Sequence, residues 1–176
     1  METQWVWIDL ELTGLDLAKD VIIEISVFVT DKQLENLTEG PSLVVQAQQH
    51  LLEGMTEVVK NMHESSGLTQ AVQQSQTTLA EAETQVLEFL ESKGVKEGVL
   101  AGNSIHMDRL FLLKDMPRLF ESVLHPYKIM DVSTFKELFK AWKSPTAEPP
   151  KASGHRSRDD ILGSIQEFRF YKSLIG

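Results

Sequence analysis

Residues Val21–Thr30 constrain the fold more than any other stretch of this chain. They form a run of apolar and β-branched side chains interrupted only by Glu24 and Ser26. A run that is apolar at consecutive rather than alternate positions marks a strand covered on both faces, hence a central one. A strand over Trp5–Leu10 precedes it across the turn Thr13-Gly14-Leu15-Asp16. A third follows the Asp31-Lys32 turn over Leu34–Glu39, with an extension at Leu43–Gln46. Strands joined by such short connections are antiparallel neighbours, so the chain opens with a β-meander.

Helical signals then take over. They read as a short helix over Met55–His63, a break at Ser65-Ser66-Gly67, and a Gln-rich stretch over Gln70–Gln76. A helix over Leu79–Lys93 follows, capped by Thr78 and closed by Gly94, with Val86, Leu87 and Leu90 on one face. Val99–Ala101 reads as a short buried strand, Asp108–Lys114 as a helix and Pro117–Val123 as a further turn or two. Lys128–Asp131 reads as the last strand, with Ser133 capping a helix through Trp142. Three of the six prolines fall in Ser144–Gly154, which must be a loop. The final helix spans Ser157–Leu174, with Ile161, Ile165 and Phe168 on its buried side. A meander followed by alternating helices and strands is an α/β three-layer domain with a mixed sheet. With no internal repeat or linker, 1–176 is expected to be a single domain, a size that suits one core.

Composition narrows the chemistry. Lys and Arg number 17 against 26 Asp and Glu, a formal charge of −9. That balance argues against gripping long nucleic acid through a basic stripe, so no long-duplex binding is expected. A short substrate, or one held through metal cations, stays open. Cysteine is absent, which removes disulfides, thiolate zinc sites, Fe–S clusters and cysteine nucleophiles. A reducing compartment is compatible with this, cytoplasmic or, if a presequence was removed, mitochondrial. No apolar run approaches the ~18 residues of a membrane span, and no membrane association is expected.

Four acids stand where acids are unwelcome. Asp9 and Glu11 alternate on an otherwise apolar strand, so both side chains leave the same face, about 7 Å apart. Like charges there repel unless a cation lies between them. Asp108 sits at a second strand-to-helix junction, after Gly102-Asn103-Ser104. Asp160 lies on the first turn of the last helix, with His155 five residues earlier. Each feature alone has a plainer reading: a solvated strand edge, a carboxylate complementing a helix N-terminus, a surface histidine. Together, oxygen-only ligands at several element ends suit Mg²⁺ or Mn²⁺ rather than zinc.

Three segments carry a family resemblance. They are Asp9-Leu10-Glu11-Leu12-Thr13-Gly14-Leu15, Gly102-Asn103-Ser104-Ile105-His106-Met107-Asp108-Arg109 and His155-Arg156-Ser157-Arg158-Asp159-Asp160-Ile161. They resemble the three motifs of the DEDD 3′–5′ exonucleases, and the spacing from His155 to Asp160 matches the DEDDh branch. Within it, Met62-His63-Glu64-Ser65-Ser66-Gly67-Leu68 and Asp131-Val132-Ser133-Thr134-Phe135-Lys136-Glu137-Leu138 look like the oligoribonuclease family.

That resemblance implies an RNase H-like fold with a mainly five-stranded mixed sheet and removal of 3′ nucleotides from very short RNA, down to dinucleotides. It implies that Asp9, Glu11, Asp108 and Asp160 hold two divalent cations, Mg²⁺ or Mn²⁺, and that His155 is the general base, a residue type that exchanges protons near neutral pH. It gives Leu15 the role of a wedge between two bases. Ser104 and His63 become contacts to the 5′ phosphate, while Tyr127 and Ser133 reach over the site from a second subunit, so a homodimer is implied. Lys128, beside Tyr127, is a further substrate-binding candidate. Two positions depart from the family. Val58 replaces a tryptophan and loses the ~1–3 kcal/mol of base stacking. Lys128 stands where bacterial relatives carry arginine, and lacks its bidentate fork. The missing tryptophan motivates the rival reading of a DEDDh exonuclease trimming longer RNA or DNA 3′ ends. A non-catalytic oligonucleotide-binding homologue is the rival from another class.

The remaining signals have ordinary readings. His50, His106 and His125 are expected at the surface or in loops without a carboxylate partner. Trp5 and Trp7 read as core, and Trp142 as core or dimer contact. Arg156 and Arg158 read either as phosphate contacts or as solvated side chains.

Overall fold

The computed structural model describes residues 4–142 and 155–175. Its centre is the strand expected to be central: β2 (Ile22–Thr30) is buried at every position, Glu24 and Ser26 included. It pairs antiparallel with β1 (Trp5–Leu12) on one side and β3 (Thr38–Val44) on the other. Beyond β1 lie β4 (Gly98–Gly102) and β5 (Leu124–Asp131), both parallel additions, in the order β3-β2-β1-β4-β5. The sheet is therefore five-stranded and mixed, as expected.

Alternation along β1 divides the protein into layers. Val6, Ile8 and Leu10 join a core with α4 (Leu79–Ser92), α5 (Ile105–Asp115) and α6 (Arg118–Ser122), filled by Val86, Leu90, Phe111 and Leu119. Trp5 and Trp7 point the other way, onto α7 (Val132–Trp142) and α8 (Ser157–Ile175). There Phe168 packs 5.3 Å from Trp5, 6.3 Å from Trp7 and 4.7 Å from Phe135, centroid to centroid. Asp9 and Glu11 continue the tryptophan parity, so the strand that builds the α8 core also aims its two acids at the start of α8. A bulge between Glu11 and Leu12 ends the regular register with β2 immediately after the second acid.

Several boundaries differ from the sequence reading, each for a local reason. The third strand begins at Thr38 because the Asp31 carboxylate accepts the Gln33, Glu35 and Asn36 backbone N–H groups, curling the segment that the periodicity assigned to strand. A short α1 (Gln49–Glu53) was not expected. The helix after it, α2, spans Glu57–Ser65. The Gln-rich stretch is largely α3 (Leu68–Gln74), whose Leu68 and Val72 are four apart and buried. Asp131, rather than Ser133, caps α7: its Oδ1 accepts the Ser133 backbone N–H at 3.0 Å. Thr78 forms a full capping box with Glu81, as its position suggested. The expected loop Ser144–Gly154 lies outside the described residues.

Phe168 is the pin between α8 and the tryptophans. Phe168→Ala is expected to cost about 3–5 kcal/mol, read as a lowered urea midpoint with an unchanged slope.

Candidate active site

Asp9 and Glu11 leave β1 toward α8, and Asp160, on the first turn of that helix, comes to meet them. One carboxylate oxygen from each lies within 4.8 Å of the others. Asp108, on the first turn of α5, arrives from the opposite side of the strand. Its Oδ1 accepts the Leu10 backbone N–H at 3.0 Å, between the two β1 acids. The structure thus brings the three acids of β1 and α8 into one cluster and sets Asp108 against the strand that carries it. His155 is exposed, five residues before Asp160, and its charge acts on the Asp160 carboxyl.

Crowding and burial both disfavour ionisation. Glu11 is pushed from its ordinary 4.5 to about 8, first by burial, then by Asp160 and Glu24, with Arg156 opposing. Burial raises Asp108 to about 7 against the bond from Leu10. Asp160 rises to about 6, again chiefly by burial, with His155 opposing. Asp9 is raised well above the usual range by burial and then by Asp108, Asp160 and Glu11. An all-oxygen donor set whose charges repel one another fits a hard divalent cation.

One residue central to this arrangement escaped the sequence reading. Glu24 is the direct cross-strand partner of Glu11 and is buried. Arg156 Nε donates to its Oε1 at 2.8 Å and Nη2 adds a second bond to the same oxygen. The Ser157 N–H and Oγ–H both reach Oε2 at 3.0 Å. Ser26 Oγ and Ser157 Oγ share a further 2.7 Å bond. This clasp bolts the first residue of α8 to β2 and so places Asp160. Its sequence signal was an acid inside the most apolar run of the chain. Arg156 is therefore committed to Glu24, and Arg158 to Glu39 at 2.6 Å; neither is the free phosphate contact considered above.

The substrate-contact candidates divide. Leu15 is 66 % exposed. Its loop is closed by Asp20, whose two oxygens accept the Thr13 hydroxyl and the Asp16 N–H at 2.9 Å each. A side chain at Gly14 would strike Asp20, with Cβ 2.4 Å from Oδ2, which explains the glycine there. Val58 is 78 % and Tyr127 74 % exposed, and Ser104 and Lys128 are exposed too. Ser133 is partly buried, its Oγ–H turned to Asp131 Oδ1 at 2.7 Å. His63 differs from expectation. It is completely buried, its Nε2 bonded to the Leu12 carbonyl at 2.9 Å. Its Nδ1, 3.8 Å from Glu11 Oε2, has no hydrogen-bond partner. In this position it packs against the carboxylate strand at Leu12 and Glu11, with Nδ1 enclosed rather than open to solvent.

Other readings are corrected in the same way. His125 is buried rather than superficial, its Nδ1 accepting the Tyr127 and Lys128 N–H groups at 3.3 and 3.2 Å. His106 is exposed but does have a carboxylate neighbour, Asp131 Oδ2 at 3.7 Å. His50 is exposed, as expected. Trp7 is core and Trp5 packs against it, whereas Trp142 is 77 % exposed and lines an apolar groove with Phe135, Leu138, Phe139 and Ile175.

Sheet, layers and carboxylate cluster together define a nuclease of the exonuclease class, and the exonuclease family model (RNase_T) matches residues 6–168. The chain is 46 % identical to the mitochondrial oligoribonuclease of Mus musculus over 99 % of its own length and 74 % of that protein. It is also 46 % identical to the oligoribonuclease of Mycobacterium tuberculosis (98 % and 81 %), and 45 % identical to the probable oligoribonuclease of Dictyostelium discoideum (97 % and 89 %). The chain belongs to the oligoribonuclease family. Its fold is also that of exonuclease I from Methylocaldum szegediense, with TM-score 0.71 at 17 % identity over 96 % of this chain and 40 % of that one. A zinc-bound Escherichia coli exonuclease I–single-stranded DNA complex gives 0.72 at 12 % identity over 99 % and 41 %. The chain spans about two fifths of the length of these exonuclease I chains.

Two outcomes follow from the electrostatics. Folding raises these carboxylates, so the cation-free native state binds more protons than the unfolded chain. Its stability is greatest below the unfolded values near 4 and is lost as pH rises through about 6, 7 and 8. Melting in EDTA should therefore fall across that window, while Mg²⁺ or Mn²⁺ flattens the profile. Arg156→Met strands Glu24 and should cost about 2–3 kcal/mol at neutral pH, below the full figure for a buried pair because the guanidinium side chain is 35 % exposed. The loss should appear as a lowered denaturant midpoint at neutral pH.

Proposed function

We propose that this chain is a single exonuclease domain that removes nucleotides from the 3′ end of short oligoribonucleotides, down to dinucleotides, releasing 5′-mononucleotides. The observation that carries the reading is the convergence of Asp9, Glu11 and Asp160 from two elements, on a chain of the oligoribonuclease family. Asp9, Glu11, Asp108 and Asp160 would hold two divalent cations, Mg²⁺ or Mn²⁺. Bound there, they would supply Lewis-acid chemistry, favouring ionisation of an attacking water and stabilising charge on the departing 3′ oxygen. His155, exposed beside Asp160, takes the water's proton. Asp108 is tied to the strand between the two β1 acids through its bond from the Leu10 N–H.

Length selection falls to the exposed side chains around this cluster. Leu15, presented on the loop that Asp20 closes, separates the two bases, and Ser104 meets the 5′ phosphate. Val58 offers an apolar surface without a stacking ring. Tyr127, Lys128 and Ser133 act over the site of a second subunit in a homodimer. The His125 acceptor that orders the Tyr127 and Lys128 backbone supports their presentation. A substrate this short releases few counterions, so a chain of charge −9 needs no basic groove. A chain without cysteine is compatible with work in a reducing compartment, cytoplasmic or, if a presequence was removed, mitochondrial.

The test is turnover of 5′-labelled RNA of two, three, seven and about twenty nucleotides with Mg²⁺ or Mn²⁺ and an EDTA blank. Cleavage should be fastest on the dinucleotide and fall with length. Asp160→Asn or His155→Ala should lower kcat by about a hundredfold or more. Rates that rise with length would instead favour the exonuclease of longer 3′ ends that the exposed Val58 allows. Binding without turnover would favour the non-catalytic homologue.

A further inference from the structure

At the end of β5 a single carboxylate oxygen gathers three donors from two helix starts. Asp131 Oδ1 accepts the Ser104 N–H at 2.9 Å, the Ser133 N–H at 3.0 Å and the Ser133 Oγ–H at 2.7 Å. Its other oxygen faces His106 Nδ1 at 3.7 Å, and the side chain is 12 % exposed. Asp131 is the register partner of Gly102 across the parallel β4–β5 pair, so it lies beside the chain as that chain turns into α5. There Ser104 adopts φ +50°, the left-handed region, which a serine holds only where its surroundings compel it. Ser104 makes no side-chain capping bond. Its backbone donor is used by Asp131 and its exposed hydroxyl is not, whereas the Ser133 hydroxyl hydrogen is already spent on the same carboxylate.

We propose that Asp131 is a positioning residue for substrate recognition: its Oδ1 locks Ser104 in the left-handed conformation that turns the Ser104 hydroxyl outward to the 5′ phosphate. This rests on the reading above that Ser104 meets that phosphate. Asp131 touches no reacting atom. It acts through the Ser104 backbone, and it ties that conformation to the start of α7 through the shared oxygen.

The experiment compares kcat/KM for a 5′-phosphorylated and a 5′-hydroxyl dinucleotide, taking the ratio of the two as the readout, with melting temperature recorded alongside. Wild type should favour the phosphorylated substrate. Asp131→Ala should lower the ratio about tenfold, as should Ser104→Ala, and the double variant should fall no further than either alone. Asp131→Asn keeps an oxygen for both backbone donors and should stay within about twofold of wild type. A merely structural role would lower both substrates alike and leave the ratio unmoved, which overturns the proposal. So does a ratio lost in a folded Asp131→Asn, since the charge facing His106 would then be the operative group. Should Asp131→Ala fail to fold for want of a helix cap, Asp131→Ser restores a cap on α7 but is too short to hold Ser104 as well. Its ratio must fall, and a wild-type ratio there overturns the proposal. If Ser104→Ala leaves the ratio unchanged, the phosphate reading itself is wrong and the proposal falls with it. If Ser104→Ala moves the ratio and Asp131→Ala does not, only the role of Asp131 is lost.

Discussion

Mutual repulsion among buried carboxylates is the constraint around which this protein is arranged. Glu11 and Glu24 face each other across β1 and β2, Asp9 lies two residues along, and Asp160 is brought in from α8. Left to themselves these groups would separate or protonate. Two features keep them together. The apolar layers on either side of β1 hold the strand in place, with Trp7, Phe168, Ile161 and Ile165 on the side the acids share. The Arg156 guanidinium neutralises Glu24, the one acid of the group that is fully hydrogen-bonded, and leaves the others short of positive charge. The remaining deficit is what a divalent cation satisfies.

The same clasp explains how distant parts of the chain cooperate. Glu24 and Ser157 are 133 residues apart, yet their two bonds define where α8 starts and hence where Asp160 points. Asp108 is tied to Leu10 across 98 residues. The site is thus built by long-range polar contacts laid over a sheet whose own order is set by apolar burial. That division lets the acids crowd without loosening the fold, because the strand's other parity is entirely core.

Much of this was legible beforehand. The meander followed from the unbroken apolar run of β2, and the shared face of Asp9 and Glu11 from simple alternation. The motif residues were individually weak and jointly informative, which is why the family could be read from them. What could not be read were contacts that depend on tertiary position. Nothing local distinguishes His63, buried under Glu11, from a histidine that meets solvent. Nor does spacing show that Glu24 is paired with Arg156 rather than exposed. The Asp31 turn displaced β3 because a side chain competed with the strand for backbone donors, a contest that periodicity does not register.

The bulge after Glu11 has a consequence for how the chain can vary. Because side chains alternate, sliding β1 by one residue against β2 would swap its faces, sending the two acids into the α4–α5 core and the aliphatic residues toward α8. A bulge breaks the ladder at one fixed point and so works as a stop against such sliding. Insertions or deletions within β1 should then be lost at the level of folding, before any effect on chemistry is felt. The loop beyond Thr13 is held by a different device, the Asp20 carboxylate bonded to Thr13 and Asp16, so a length change there would displace Leu15 while leaving the strand seated.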